Sequence, residues 1–173
     1  LVTNSTGSDD RAALKAACSL VSSGVIGLIG PAFSSEASVV ALEYSSLQLP
    51  VISYAATDPS LQSYPYFSRV VSTDIRQSTV ISDLLMRFKW RRIAIMVVDD
   101  SYGRSIAASL IKLSNVIVAH YFDLQETSFT GHLTSIKETS ARIIVLVSLP
   151  SAQTERIFAA ADEIGLFDIG YQW

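Results

Sequence analysis

Residues 24–57 read GVIGLIGPAFSSEASVVALEYSSLQLPVISYAAT, and their pattern is strand, tight loop, helix, strand, loop. Val25 to Ile29 is a short apolar run of the kind found in strands buried on both faces. Gly30-Pro31 breaks it. Ser34 and Ser35 stand where a helix begins, with Glu36 in its first turn. Val51 to Tyr54 reads as the next buried strand, and Thr57 follows its carboxyl end. Open parallel α/β sheets bind ligands outside the carboxyl ends of their strands. Two hydroxyl-bearing loops at adjacent strand ends are therefore a candidate anion site, reinforced by the N–H groups at a helix start.

The same alternation continues along the chain. Asp9 or Asp10 is expected to cap a helix carrying Ala13, Leu14, Ala17, Leu20 and Val21. Thr57 to Tyr66 is a long loop dense in turn formers, and Phe67 to Val71 is extended. Asp74 is expected to cap a helix with Ile75, Ile81, Leu84, Leu85 and Phe88 at helical spacing. Buried strands follow at Arg92–Val98 and Ala141–Val147, with a further strand at Val116–Phe122; Ile106, Ala107, Leu110 and Ile111 mark one helix, Phe129–Lys137 is a short one, and Ile157, Phe158, Ala161 and Ile164 mark another. Ile169 to Trp173 begins a last strand. Strand and helix alternate, so the sheets should be parallel with right-handed crossovers.

The 173 residues are 49% hydrophobic and only 17% charged, which marks a globular chain. Net charge is -3, and the cations are scattered, so nothing suggests nucleic acid. No apolar run reaches the roughly 18 residues of a membrane span. The sequence opens at Leu1 without Met and stops within an expected strand, so it reads as a fragment whose membrane anchors lie outside it. Its exposed strand edges should make it poorly soluble alone. The single cysteine, Cys18, reads as a small buried hydrophobe on a helix. Asn4-Ser5-Thr6 fits a glycosylation sequon.

Catalytic signatures are absent: no G-x-S-x-G elbow, Walker loop, G-x-G-x-x-G or HExxH occurs. His120 and His132 have no obvious partners in sequence and read as packing or surface residues, and Trp90 as an anchor at a helix end. Asp99-Asp100 resembles a metal-binding carboxylate pair, but solvated loop acids fit better. What survives is Ser34, Ser35, Thr57, Asp74 and Tyr102, each at a strand end or helix start. Hydroxyls and helix N–H groups suit a carboxylate. Asp74 suits an ammonium, and the ring of Tyr102, read as a loop aromatic, suits a cation–π contact with it. Those are the parts needed to hold an α-amino acid, with no metal and no cofactor.

Five segments resemble a known family: VIGLIGPAFSS (25–35), PVISYAATDPSLQSYPYFSRVVSTDIRQ (50–77), KWRRIAIMVVDDSYGRS (89–105), ARIIVLV (141–147) and IGLFDIGYQW (164–173). They resemble the extracellular ligand-binding region shared by glutamate, type B GABA and natriuretic-peptide-type receptors. ATDPSL, YPYF and VDDSYGR are most similar to plant-type glutamate-receptor-like channels; SYAAT, VVSTD and SYG are equally similar to metabotropic glutamate receptors. The resemblance implies a two-lobed α/β fold of the type I periplasmic-binding-protein kind, with parallel sheets flanked by helices. Residues 1–70 would be part of lobe 1 and 71–173 part of lobe 2. By the same resemblance Ser34 and Thr57 bind the amino-acid carboxylate and amine, and Asp74 and Tyr102 complete the site from lobe 2. Ser35, Ala55 and Ala56 join the expected ligand-binding set, Ala55 through its backbone alone. Three residues depart from the pattern. Ala55 replaces a common hydroxyl residue, Phe33 replaces a small one, and Glu36 sets a negative charge near the carboxylate site.

The resulting expectation is a receptor region on the extracellular side of a plasma membrane. It would bind an amino acid such as glutamate or GABA, dimerise through lobe 1 and signal by lobe closure. The alternatives are a subunit-assembly domain that binds no ligand and a solute-binding protein serving a transporter. An enzyme of flavodoxin-like or receiver-like type using Asp99 and Asp100 is the least favoured reading.

Overall fold

Asp9 starts the first helix by accepting the Ala12 N–H on its carboxylate, at 2.9 Å, an N-cap of the ordinary kind. The computed structural model describes residues 2–7, 9–149 and 151–173, and the chain divides into two units, the first ending at Asp74 and the second starting at Ile75.

The first unit runs α1 (Asp10–Ser22), β1 (Leu28–Ile29), α2 (Ser34–Ser46), β2 (Val51–Ser53), a 3-10 turn (Pro59–Ser63) and β3 (Phe67–Arg69). The three strands form one parallel sheet in the order β1-β2-β3. Small residues Ala13 and Ala17 on α1 pack with Val40 and Tyr44 of α2 over Val51. The Tyr44 hydroxyl donates to the Ala17 carbonyl at 3.1 Å, so the one polar atom of that buried ring is satisfied. β1 is shorter than its apolar run suggests and is not buried on both faces: Ile26 is 89% and Ile29 76% exposed. The reason is position, because β1 is an edge strand whose ladder to β2 spans only Leu28↔Val51 and Ile29↔Ile52. The extended Phe67–Val71 segment is a strand only over Phe67–Arg69, where it pairs with β2.

The second unit carries α3 (Asp74–Arg87), whose first residue closes the first unit, then β4 (Ile93–Val98), α4 (Ser101–Leu113), β5 (Val116–Phe122), α5 (Thr130–Glu138), β6 (Ile143–Val147) and α6 (Ala152–Glu163). Its sheet is parallel in the order β5-β4-β6. All six residues of the central β4 are buried. Ala94, Met96 and Val98 enter one core with Phe122, Phe129 and Leu133. Ile93, Ile95 and Val97 enter another with Leu85, Ile106 and Leu110. A parallel strand covered on both faces must be apolar throughout, which is why the run reads without alternation. The expected last strand is reduced to a single parallel bridge, Ile143↔Gln172. Trp90 follows the end of α3, where its N–H meets the Leu85 carbonyl and its ring stacks on Phe88.

α2 begins at Ser34, where the sequence places a helix start, and the departures lie in the caps. The N-cap of α2 is Phe33, with no side-chain cap, so Ser34 and Ser35 lie inside the helix. Asp74 is the first residue of α3 rather than the residue before it. Tyr102 is not on a loop: α4 begins at Ser101 because the Asp100 carboxylate accepts the Gly103 N–H at 2.7 Å. Cys18 lies on α1 but is exposed, not buried. No helix among the described residues is long and apolar enough to cross a membrane.

Two helical glycines should respond oppositely to alanine. A Cβ on Gly103 would sit 2.0 Å from the Val98 carbonyl oxygen, whereas one on Gly131 meets nothing within 4 Å. Gly103→Ala is expected to lower stability by roughly 1–3 kcal/mol through overpacking. Gly131→Ala should raise it by up to about 1 kcal/mol through helix propensity. Urea denaturation of the two variants checks the signs.

Candidate functional site

The loops after β1 and β2 are fastened together by one hydroxyl. Ser34 Oγ, 4% exposed, accepts the Thr57 N–H at 3.1 Å and the Asp58 N–H at 3.2 Å. The Thr57 carbonyl in turn accepts the Asp74 N–H at 3.0 Å. Both backbone groups of Thr57 are thus held by the protein, and its side-chain hydroxyl is the polar group left for chemistry. Accepting two bonds uses both lone pairs of Ser34 Oγ, so its remaining capacity is its proton. With no side chain capping α2, the first N–H groups of that helix suit an anion.

Three residues that the sequence did not single out shape this loop. Ser53 Oγ donates to the Pro31 carbonyl at 2.6 Å and accepts the Ala56 N–H at 2.9 Å and the Ala55 N–H at 3.3 Å. Asp58 accepts the Ser60 N–H at 2.8 Å, starting the 3-10 turn. Arg69 donates through Nη1 to the carbonyls of Ala56, at 3.1 Å, and Asp58, at 2.8 Å. Its guanidinium lies 5.4 Å from the Phe67 ring centroid. Burial pushes the Arg69 pKa down, while the negative charges of Asp58 and Asp74 pull it up. Asp-Pro at 58–59 is a turn signal that could have exposed Asp58; Arg69, a lone cation on a strand, carried no signal.

The first unit thus brings Ser34, Ser35, Ala55, Ala56, Thr57 and Asp74 onto connected segments. Asp74 is 1% exposed. Ala55 is exposed, whereas Ala56 is buried with both backbone groups engaged by Ser53 and Arg69, which makes it a structural member of the loop. Tyr102 belongs to the second unit, where it packs from the first turn of α4 against both cores.

Glu36 is buried and turned towards Thr6 and the acidic start of α1. Burial raises its pKa most, a hydrogen bond with Thr6 lowers it, and the charges of Asp10 and Asp9 raise it again, for a net upward shift. Asp99 is held below the usual carboxylate range by its hydrogen bond from Arg104. Asp100 serves as the cap of α4, and no group of three or more potential metal ligands occurs among the described residues. The histidines, expected to lack partners, have them: His132 faces both His120 and Glu126.

A β/α chain with a hydroxyl-lined strand-end loop fits a ligand-binding region, and comparison with known proteins agrees. The family model described as "Receptor family ligand binding region" matches residues 1–173, so the chain belongs to that family; its members are binding regions, not enzymes. It is 29% identical over 157 residues to glutamate receptor 3.1 of Oryza sativa subsp. japonica, covering 86% of this chain and 17% of that protein. It is 31% identical over 147 residues to metabotropic glutamate receptor 4 of Mus musculus, covering 81% and 16%. The chain therefore spans about a sixth of the length of these relatives. Its fold is that of a solute-binding protein of an ABC transporter from Rhodopseudomonas palustris BisB5, solved with 3,4-dihydroxy benzoic acid. There the TM-score is 0.83 at 18% identity, over 98% of this chain and 48% of that one.

Two outcomes follow from the site's geometry. Ser34→Ala leaves two amides without their acceptor, which should cost about 1–3 kcal/mol. Hydrogen exchange at Thr57 and Asp58 should speed up before exchange elsewhere. For Glu36, a raised folded-state pKa means the folded chain binds more protons than the unfolded one above the ordinary value of 4.5. Stability is then lost as pH climbs from that value through the raised one. Glu36→Gln should therefore stabilise the chain at pH 7, by a margin that shrinks towards pH 4 in melting experiments.

Proposed function

We propose that this chain is part of the extracellular ligand-binding region of a plasma-membrane receptor, taking an amino acid such as glutamate or GABA. The observation that carries the reading is the clamped Thr57 loop: Ser34 and Asp74 fix its backbone and leave the Thr57 hydroxyl as a preset partner for ligand. The Ser34 proton, the Thr57 hydroxyl and the N–H groups at Ser35 and Glu36 suit a carboxylate. Asp74 and Tyr102 suit an ammonium. The backbone of Ala55 lies in the same exposed loop. The named relatives are glutamate receptors, which supports an amino-acid ligand.

In this reading the two units are parts of two lobes, and ligand favours the closed arrangement by bonding to both. Charge-assisted hydrogen bonds of roughly 1.5–3 kcal/mol each set the scale. The membrane segments lie outside this chain. The proposal includes dimerisation through the first lobe, supported by the exposed Leu42 and Leu47 at the α2 end of that unit. A second reading keeps the dimer and drops the ligand, as in an assembly domain; the exposed Ala55, which offers no hydroxyl, favours it.

Calorimetry on the complete two-lobed domain tests the first reading. Thr57→Ala and Asp74→Ala should each weaken amino-acid binding by about ten-fold or more. Unchanged affinity in both variants for every amino acid tested rules out the assigned site. A dimer whose melting temperature responds to no amino acid supports the assembly domain.

A further inference from the structure

His120 and His132 take no part in the amino-acid site, yet they are built into a specific arrangement in the second unit. His120 lies on β5 opposite Met96 of β4. His132 is the third residue of α5. Their Nδ1 atoms are 3.2 Å apart. On the far side of the His132 ring, Nε2 lies 2.9 Å from Glu126 Oε1.

The hydrogen-bonding roles follow from these contacts. An ionised carboxylate only accepts, so His132 carries its proton on Nε2 and presents a bare Nδ1 lone pair to His120. Burial, and then the neighbouring His132, hold the His120 pKa down. The two rings thus bring their Nδ1 atoms together. Nε2 of His120 is buried, which leaves Nδ1 as its only nitrogen able to reach an ion.

Neutral imidazoles are transition-metal ligands. Around tetrahedral Zn2+, with Zn–N bonds of about 2.0–2.1 Å, ligand nitrogens stand about 3.3–3.4 Å apart. The 3.2 Å between the two Nδ1 atoms is close to that edge. A carboxylate holding the outer N–H of a ligating histidine is the usual support for such a ligand, fixing its tautomer and raising its basicity. The His132 and Glu126 side chains are 26% and 28% exposed, so an ion has a route in. No third histidine, cysteine or acid converges with them among the described residues.

We propose that His120 and His132 form a two-histidine site for a divalent transition-metal ion of the Zn2+ or Cu2+ class, with Glu126 orienting His132 and water filling the open positions. On binding, His120 moves its proton from Nδ1 to Nε2, and both Nδ1 lone pairs go to the metal. With two protein ligands the ion is exchangeable, which suits a modulator of the domain rather than a structural staple.

Zn2+ titrated into the full chain at neutral pH tests this, read by competition with a chromogenic chelator and by melting temperature. A single saturable equivalent that raises the melting temperature is expected, with no response to Mg2+. Glu126→Gln should weaken binding by about 10–100-fold, and His120→Asn and His132→Gln by more. The absence of saturable Zn2+ binding overturns the proposal, as does unchanged affinity in both histidine variants. Should those variants not melt cooperatively, Glu126→Gln decides alone: unchanged affinity there overturns the site.

Discussion

One buried hydroxyl governs the first unit. Ser34 Oγ takes two backbone amides from the loop after β2 while standing at the start of the helix after β1. Phe33, the capping residue, makes no side-chain hydrogen bond. Leaving those two N–H groups without their acceptor would cost about 1–3 kcal/mol. That is large against the roughly 5–15 kcal/mol of a whole domain. The serine therefore selects one position for Thr57 and Asp58, and Arg69 reinforces it by tying the carbonyls of Ala56 and Asp58 to β3. The candidate site is a consequence of how these loops satisfy their own backbone.

The second unit solves a different problem. Its central strand is wholly buried, so its stability comes from apolar packing on two faces, at about 1.5–3 kcal/mol for each large side chain. A core of that kind fixes where helices start. Gly103 permits α4 to approach the end of β4 closely enough that any side chain there would strike Val98. Asp100 sets the first turn, and the direction of Tyr102 follows from both. Polar residues enter this unit too: Ser82 of α3 is buried and bonded to the Ser114 hydroxyl, and the histidine pair faces across β5 and α5.

Most of the fold was legible in the sequence because parallel strands between helices announce themselves as apolar runs, and β4 and β6 lie where unbroken ones occur; the edge strand β5 is interrupted by His120 and buries only Phe122. Legibility failed where three-dimensional context overrides a local rule. Val25–Ile29 has the composition of a central strand and the position of an edge. Ser34 has the composition of a cap, yet its hydroxyl reaches across 23 residues of chain instead of back to its own helix. Cys18 has the composition of a core residue and lies on the solvent side of α1. At the site, Ser34, Thr57 and Asp74 could be named from their places at strand ends and helix starts. Ser53, Asp58 and Arg69 could not, because their importance lies in which backbone groups they hold, and hydrogen-bond partners leave no mark in one dimension.

The same reasoning decides how the departures from the family pattern weigh. Glu36 looked like a repulsive charge beside a carboxylate site. Its carboxyl is buried, faces Thr6 and the acids of α1, and has its pKa raised by that burial. A desolvated acid among other acids is driven towards its neutral form, and what charge remains is favoured by the helix start, by about 0.3–1 kcal/mol. Both effects reduce its repulsion of a ligand. Ala55 is different. It is exposed in the loop that carries Thr57, and its own side chain has no hydroxyl. A ligand that relied on a side-chain bond there would lose a contribution of order 1 kcal/mol. Of the two departures, Ala55 rather than Glu36 is therefore the one that weighs on what the proposed site can hold.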